Sequence, residues 1–177
     1  PKPNAPKQKR AVKKVPELEP SAAPHFAHTV VADSTSKQPT RTRSGKRYAN
    51  IMVDVHTRWT WTTLLYTLKN TYTKCTSKLP KQLHPVLKIF RADLGSEFDN
   101  NRTKKLLEQL GVVINFAAAA DHYQNGLAEN TIRVLQDMAR TMLSDSSLPT
   151  SFWGEALVCA CFLKNRLPCK ALDGDSP

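Results

Sequence analysis

The chain has 177 residues, 40% of them hydrophobic, and a formal charge of +11. This length suits one domain of ordinary size. No apolar run reaches the roughly 18 residues of a membrane span, which excludes an integral membrane protein. The four cysteines form no C-x-x-C pair, which argues against a zinc ribbon or a thioredoxin-like site, and we expect ordinary reduced thiols. The N-terminus has charge but no apolar stretch behind it, so we expect no secretory signal there.

Positive charge is concentrated in the first quarter of the sequence. Residues 1–47 hold eleven Lys and Arg against three acids, whereas residues 48–177 hold fifteen against twelve. This asymmetry suggests a polyanionic partner, of which nucleic acid is the commonest. A solvated tail that only confers solubility is the alternative.

Residues 1–24 are predicted to be a tail or linker without a fixed fold, because they hold six prolines and little apolar surface to bury. The basic run at 7–14 is typical of a nuclear-import signal or a phosphate-binding arm. Its basic residues, which we predict to contact DNA, are Lys7, Lys9, Arg10, Lys13 and Lys14.

The next part of the chain predicts a β-meander. Three β-branched or apolar segments have the pattern of strands, at 28–33, 48–55 and 60–66. A polar turn region at 34–47 joins the first two and adds five basic residues. Of these we predict DNA contacts for Arg41, Arg43, Lys46 and Arg47.

The remaining sequence alternates between helix and strand. A loop that ends in Asn-Gly, at 117–126, precedes a long amphipathic helix. The predicted elements are a weak helix at 67–83, a strand at 86–92, a helix at 101–110 stopped by Gly111, a strand at 112–116, and helices at 127–144 and 150–167, the last bounded by Pro149 and Pro168. The order predicts a mixed α/β layer in which helices cover the sheet.

Three acids stand where a layered α/β fold builds its sites. Asp33 ends the first predicted strand, Asp93 ends the fourth, and Glu129 lies in the first turn of the long helix. Carboxylates that meet at one place repel each other unless a cation lies between them. An all-oxygen set of ligands favours a hard ion such as Mg²⁺ or Mn²⁺.

The long helix carries a polar stripe. Arg133, Gln136 and Arg140 follow Glu129 at spacings that place all four side chains on one side of the helix. The simple interpretation is a solvated face with an i,i+4 ion pair. The functional interpretation is a metal-binding Glu beside groups that contact phosphate.

Together these residues resemble a known family. Asp33, Asp93 and Glu129, with 35 residues between the last two, resemble the D,D-35-E triad of retroviral and retrotransposon integrases. The segments RADLGSEF (91–98) and DHYQNGLAEN (121–130) are most similar to the copia-type retrotransposon branch. The similarity covers roughly residues 25–177 and includes further segments at 52–66, 137–157 and 163–177.

The resemblance implies a ribonuclease H-like fold, an α/β mixed five-stranded sheet flanked by helices. It implies a polynucleotidyl transferase core at 25–170, with the start of a C-terminal linker at 171–177. Asp33, Asp93 and Glu129 would hold two Mg²⁺ (or Mn²⁺) ions for 3′-end processing and strand transfer of element DNA into target DNA.

The family also implies partners and a location. Arg133 and Gln136 are similar to positions that contact element-end DNA, and we assign Arg140 to the same surface. Asn125 falls in what resembles the family's mobile active-site loop. The last helices would supply the surface of a homodimer or a higher integrase assembly, and the protein would act in the nucleus.

Some positions differ from the family pattern. Leu94 stands where an Asn commonly follows the second Asp, Asn130 where an Arg commonly follows the Glu, and Ser34 and Thr35 where Gly-Pro is often seen. The family's zinc module and C-terminal DNA-binding domain are not found in this sequence, which we interpret as an excised or truncated core. The alternatives are a truncated or decayed nucleic-acid-binding module without activity, and a different ribonuclease H-like nuclease, which the 35-residue spacing disfavours.

Asp54 is a weaker candidate for a catalytic residue. It ends a predicted strand, but 38 residues separate it from Asp93, and the family has a non-catalytic Asp at the matching place.

Overall fold

The structure, a computed structural model, describes residues 26–68, 86–93, 105, 107–117 and 126–177, and for residues 93, 116 and 117 it describes the backbone alone. The predicted tail, the weak helix at 67–83, the start of the helix at 101–110 and the loop that contains Asn125 lie outside these residues, apart from their edges. The described elements are β1 (Thr29–Ser34), β2 (Tyr48–Asp54), β3 (Thr60–Leu65), β4 (Ile89–Asp93), β5 (Val113–Ala117), α1 (Gly126–Ser146) and α2 (Trp153–Lys164).

The five strands form one mixed sheet in the order β3-β2-β1-β4-β5. Strands β1, β2 and β3 are antiparallel neighbours, which confirms the predicted meander. Strand β4 joins the sheet parallel to β1, and β5 lies parallel to β4. The predicted mixed five-stranded sheet is therefore confirmed.

Both faces of the sheet are buried. Successive side chains of a strand point to opposite faces, so β1 contributes Val30 and Ala32 to one core and Val31 to the other. The first core includes Phe90 and Leu107. The second lies under the helices and includes the residues Ile51, Val53, Ala128, Leu135, Ala139 and Leu157.

Helix α1 covers the sheet with a narrow face. Its buried residues are Ala128, Thr131, Leu135 and Ala139, spaced three or four apart. The polar Thr131 is tolerated there because its hydroxyl donates to the Leu127 carbonyl at 2.8 Å. The helix confirms the predicted one to within two residues at each end.

The helical pattern before β5 ends where the sequence predicts. Residues 107–109 are helical, and Gly111 has φ of 67°, a left-handed conformation that favours glycine. The Gly111 N–H donates to the Glu108 carbonyl at 3.1 Å. Gly111 is thus the predicted C-cap.

Two predicted boundaries were wrong. The helix predicted at 150–167 is a 3₁₀ turn (Thr150–Phe152) followed by α2, which ends at Lys164 because the next residue, Asn165, turns its amide onto strand β3. Strand β4 begins at Ile89 and not at residue 86, because its ladder with β1 begins at the His28 carbonyl, which accepts from Lys88 and Ile89.

Neither helix in the described residues has the length and apolar composition that crossing a membrane requires.

Candidate active site

Parallel pairing places two of the three predicted acids side by side. Ala32 of β1 and Ala92 of β4 are paired in register, and the next residues along the two strands are Asp33 and Asp93. Neighbouring strands lie about 4.8 Å apart. The backbones of both aspartates are therefore adjacent at the carboxyl ends of two parallel strands, the edge where open α/β sheets bind ligands.

Asp33 lies on the sheet face that α1 covers. It follows Val31 by two residues and pairs across the sheet with Ile51, and both of these belong to the core under the helices. Its Oδ1 accepts a hydrogen bond from the Ser34 N–H at 2.7 Å, and its carbonyl accepts one from the Asn50 amide at 3.1 Å. These contacts fix the end of β1 and orient the carboxylate.

Glu129 lies in the first turn of α1, on the same side of the sheet. Ala128, the residue before it, is fully buried in the core that contains Val31, whereas Glu129 itself is exposed. The helix start is thus anchored on the face of the sheet that carries Asp33. Helix N-termini carry a partial positive charge, which suits a carboxylate in the first turn.

The chemistry of the donors fits a hard divalent cation. All three predicted ligands are carboxylates, and Mg²⁺ prefers oxygen ligands of this kind. Among the side chains that the structure describes, which do not include that of Asp93, no group of three His, Cys, Asp or Glu is placed to hold a metal.

The two arginines of the polar stripe of α1 form ion pairs with Asp137. Its carboxylate accepts from Arg133 at 3.5 Å and from Arg140, while Arg133 also donates to the Asn130 side chain at 2.9 Å. Among the described side chains the ion-pair partner of Arg133 is thus Asp137 rather than Glu129. The sequence carried the signal, because Asp137 lies four residues after Arg133 and three before Arg140.

The basic loop between β1 and β2 is built around a tight turn. Gly45 has φ of 79° and donates its N–H to the Thr42 carbonyl at 2.8 Å, while the Thr42 hydroxyl accepts from the Lys46 N–H at 2.9 Å. Arg41 and Arg43 are exposed, and Lys46 and Arg47 are half-buried. The five predicted DNA-contacting residues of the tail, at 7–14, lie outside the described part of the chain.

A groove lies between the start of this loop and the helices α1 and α2. Its volume is about 340 Å³, and Gln136 and Arg140 of α1 line it together with Thr35 and Ser36, which follow Asp33 closely in the chain. Two predicted DNA-contacting residues therefore share a concave surface with the chain segment next to a predicted catalytic residue.

Asp54 has a structural role. It is fully buried, and its carboxylate accepts from the Thr57 hydroxyl at 2.6 Å, the Thr57 N–H at 3.1 Å and the His56 N–H at 3.4 Å. These bonds close the turn between β2 and β3, which supports discounting it as a catalytic residue.

Two groups with shifted pKa values lie away from the site, where α2 ends against β3. Burial lowers the pKa of Lys164, whose ammonium donates to the Arg58 carbonyl at 3.1 Å and the Thr60 hydroxyl at 3.0 Å. Burial also raises the pKa of the Cys161 thiol. These groups fasten the helix to the sheet edge and take no part in the acidic site.

Sequence reasoning missed how the loop is held. Trp153 packs on the core under the helices. Its indole N–H also donates to the Thr40 carbonyl at 2.9 Å. No spacing rule signals a contact between residues 113 apart in the chain.

Comparison with known proteins decides the relationship. No family model matches the chain. The Retrovirus-related Pol polyprotein from transposon TNT 1-94 of Nicotiana tabacum is 27% identical over 151 residues, which are 84% of this chain and 11% of that protein. The Transposon Ty1-NL2 Gag-Pol polyprotein of Saccharomyces cerevisiae is 26% identical over 147 residues, 80% of this chain and 8% of that protein. The chain is a relative of retrotransposon Pol polyproteins.

This relative of the Pol polyproteins spans about a tenth of their length. Its fold is similar to that of a chain in the cryo-EM structure of the simian T-cell lymphotropic virus intasome in complex with PP2A regulatory subunit B56 gamma. The TM-score is 0.69 at 17% identity, over 87% of this chain and 54% of that chain. The predicted ribonuclease H-like fold is thereby confirmed, and the predicted relationship to retrotransposon proteins is confirmed at the level of their Pol polyproteins.

Proposed function

We propose that this chain is the catalytic core of a retrotransposon integrase, a metal-dependent polynucleotidyl transferase that processes 3′ ends and joins element DNA to target DNA. The core would be residues 25–170, preceded by the basic tail and followed by the start of a linker at 171–177. The observation that carries the proposal is the register of β1 with β4, which makes Asp33 and Asp93 neighbours.

Asp33, Asp93 and Glu129 would hold two Mg²⁺ (or Mn²⁺) ions. When bound, the metals activate the attacking oxygen and stabilise the leaving one in an in-line displacement at phosphorus. The protein contributes mainly positioning. The parallel ladder holds the two aspartates at a fixed spacing, and the Ser34 N–H keeps the Asp33 carboxylate in one orientation.

DNA would lie along the exposed polar surface. Arg133, Gln136, Arg140 and Asn125 would contact the element ends, and the basic residues of the loop and tail would contact phosphates. The run at 7–14 would direct the protein to the nucleus.

Helix α2 supports the proposal of a homodimer or a higher assembly. It exposes the large apolar side chains Val158, Phe162 and Leu163. Exposed apolar patches of this kind mark contacts between proteins.

The test is the reverse reaction. The purified chain is incubated with Mn²⁺ and a branched integration product, and resolution of the branch is followed on a denaturing gel. We expect product from the unsubstituted chain and none from Asp93→Asn or Glu129→Gln. The matched control is Asp145→Asn, which removes an exposed carboxylate from the far end of α1 and should keep full activity.

The second candidate is a nucleic-acid-binding module without activity. It is favoured by Asn130, which stands where the family commonly has Arg and which accepts a hydrogen bond from Arg133. A chain that folds and binds DNA but gives no metal-dependent product would establish this candidate and overturn the first.

A further inference from the structure

The basic loop is attached to the start of α2 at three points. The Trp153 indole donates to the Thr40 carbonyl at 2.9 Å, and the Arg43 guanidinium lies 5.1 Å from the centre of the Phe152 ring. Gly154 lets Thr42 approach so closely that a Cβ at Gly154 would stand 2.6 Å from the Thr42 Cγ2. We call residues 36–47 the basic arm and residues 152–154 the clasp.

The basic arm is uniformly positive. It holds five Lys and Arg residues and no Asp or Glu. These five residues lie beside the groove rather than in its lining, to which the arm contributes Ser36 and Gln38, α1 contributes Gln136 and Arg140, and α2 contributes Trp153. The acids nearest to the arm in the chain are Asp33, at the end of β1, and Asp54, which is buried and bonded to Thr57.

We propose that the phosphate backbone of duplex DNA binds in the groove and along the basic arm beside it, and that Phe152 and Trp153 are positioning residues that hold the arm for it. The proposal deepens the proposed function and rests on DNA being its substrate. Arginine, amide and hydroxyl donors are the groups that contact phosphate oxygens. Because the groove begins at Thr35 and Ser36, a DNA strand in it would run towards the end of β1 that carries Asp33.

The clasp has a thermodynamic effect. A long basic side chain loses conformational freedom when it binds a phosphate, and this loss opposes association. In this structure the stacking of Arg43 and the hydrogen bond of Trp153 order part of the arm before DNA arrives. Loss of these contacts should therefore weaken DNA binding, even when the substituted residue is Phe152, which does not line the groove.

The first test measures the charge contacts of the arm. The full chain binds a fluorescein-labelled random 30-base-pair duplex in EDTA, followed by anisotropy over a series of salt concentrations. Each lost phosphate contact lowers the slope of log affinity against log salt by about 1. We expect this loss for Arg43→Ala.

The matched control is Arg166→Ala. Arg166 is also exposed and also lies over a phenylalanine ring, 3.5 Å from the centre of Phe162, but it follows the other end of α2. The control loses the same charge and the same type of contact, and its slope should stay unchanged. Equal slopes for the two variants would show that the basic arm does not contact phosphates and would overturn the proposal.

The second test isolates the clasp. Trp153→Phe keeps a ring and loses the N–H donor, and we expect about two- to tenfold weaker binding, the loss equivalent to one hydrogen bond. In an Arg43→Ala background the same substitution should add little, because the arm no longer supplies that contact. Additive losses would contradict positioning. If Trp153→Phe lowers the melting temperature strongly, Phe152→Leu replaces it in the same cycle.

The outcomes separate this inference from the proposed function. DNA binding in EDTA does not depend on metal held by the acidic triad. A chain that is inactive towards the branched product can therefore still show DNA binding by the basic arm. Conversely, if the chain is active and its Arg43→Ala variant binds duplex DNA with unchanged affinity, the proposed function stands and the proposed role of the basic arm is wrong. Competition by polyglutamate as strong as by duplex DNA would indicate a site for acidic proteins and would also overturn the proposal.

Discussion

At the residue scale, single carboxylates decide how much positive charge α1 presents. Asp137 pairs with Arg133 and Arg140, and all three side chains are at least half exposed. Exposed ion pairs of this kind are weak and are screened by salt. The arginines are therefore held in place at low cost and can exchange Asp137 for a phosphate.

Asp137→Asn should strengthen DNA binding. The substitution removes the competing anion from two arginines, and pairs of this type contribute about 0.2–1 kcal/mol each, so we expect a two- to fivefold gain at low salt. Anisotropy with the labelled duplex measures it. Asp145→Asn makes the same change of net charge two turns further along α1. An equal gain in both variants would show that only net charge matters.

Neighbouring cysteines of α2 should differ in reactivity. Cys161 is buried, and burial raises the pKa of its thiol, whereas Cys159 is exposed. Since the thiolate is the reactive form, iodoacetamide at pH 8 should alkylate Cys159 first, as tandem mass spectrometry of the peptide that contains both would show. Faster labelling of Cys161 would mean that α2 does not pack on β3 as described.

The raised pKa of the Cys161 thiol also makes the stability of the fold depend on pH. Above the ordinary value of 9.0 the folded chain keeps a proton that the unfolded chain releases. The contribution of this thiol to stability is therefore present below that pH and falls as the pH rises through the folded-state pKa.

At the element scale, alternation and helical spacing predicted the strands and α1, because burial on one face dictates both patterns. The wrong boundaries depended on bonds between distant residues. Nothing near Lys164 in the sequence shows that Asn165 bonds to Thr60, and nothing near residue 86 shows that the His28 carbonyl begins the ladder of β4.

Asn165→Ala should destabilise the fold through the junction of α2 and β3. The amide accepts from the Thr60 N–H at 2.9 Å and donates to the Thr60 carbonyl at 2.8 Å, and both residues are buried. The Thr60 N–H would lose this acceptor, while the Thr60 carbonyl would keep only the Cys161 thiol at 3.2 Å, a loss of about 1–3 kcal/mol. Urea unfolding measures the loss. Asn130→Ala, at an exposed position of α1, is the control and should change the free energy of unfolding far less.

The candidate site was predictable in part. The positions of Asp33, Asp93 and Glu129 follow from motif spacing, and the parallel pairing of β1 with β4 makes the first two neighbours. The clasp was not predictable, because the contact of Trp153 with Thr40 obeys no local periodicity. The ion pairs of Asp137 with Arg133 and Arg140 could have been predicted from its spacing to the two arginines.

At the scale of the whole molecule, the tail adds positive charge to the core. Residues 1–24 hold six Lys and Arg against two Glu. The core residues that the structure describes begin at Ala27. Deleting residues 1–24 should therefore weaken DNA binding and reduce its salt dependence, with the melting temperature unchanged.

Anisotropy and thermal unfolding of the shortened chain check this prediction. Unchanged affinity for random duplex would show that the tail is only a linker. A lowered melting temperature would show that it contributes to the fold.

The pairing of β1 with β4 makes the first strand intolerant of changes in length. Strand side chains alternate with a period of two, so one residue inserted within β1 ahead of Asp33 would turn this aspartate to the opposite face. The proposed chemistry needs both aspartates on one face of the sheet. A single added codon inside the first strand would therefore end it in a diverged copy of this gene.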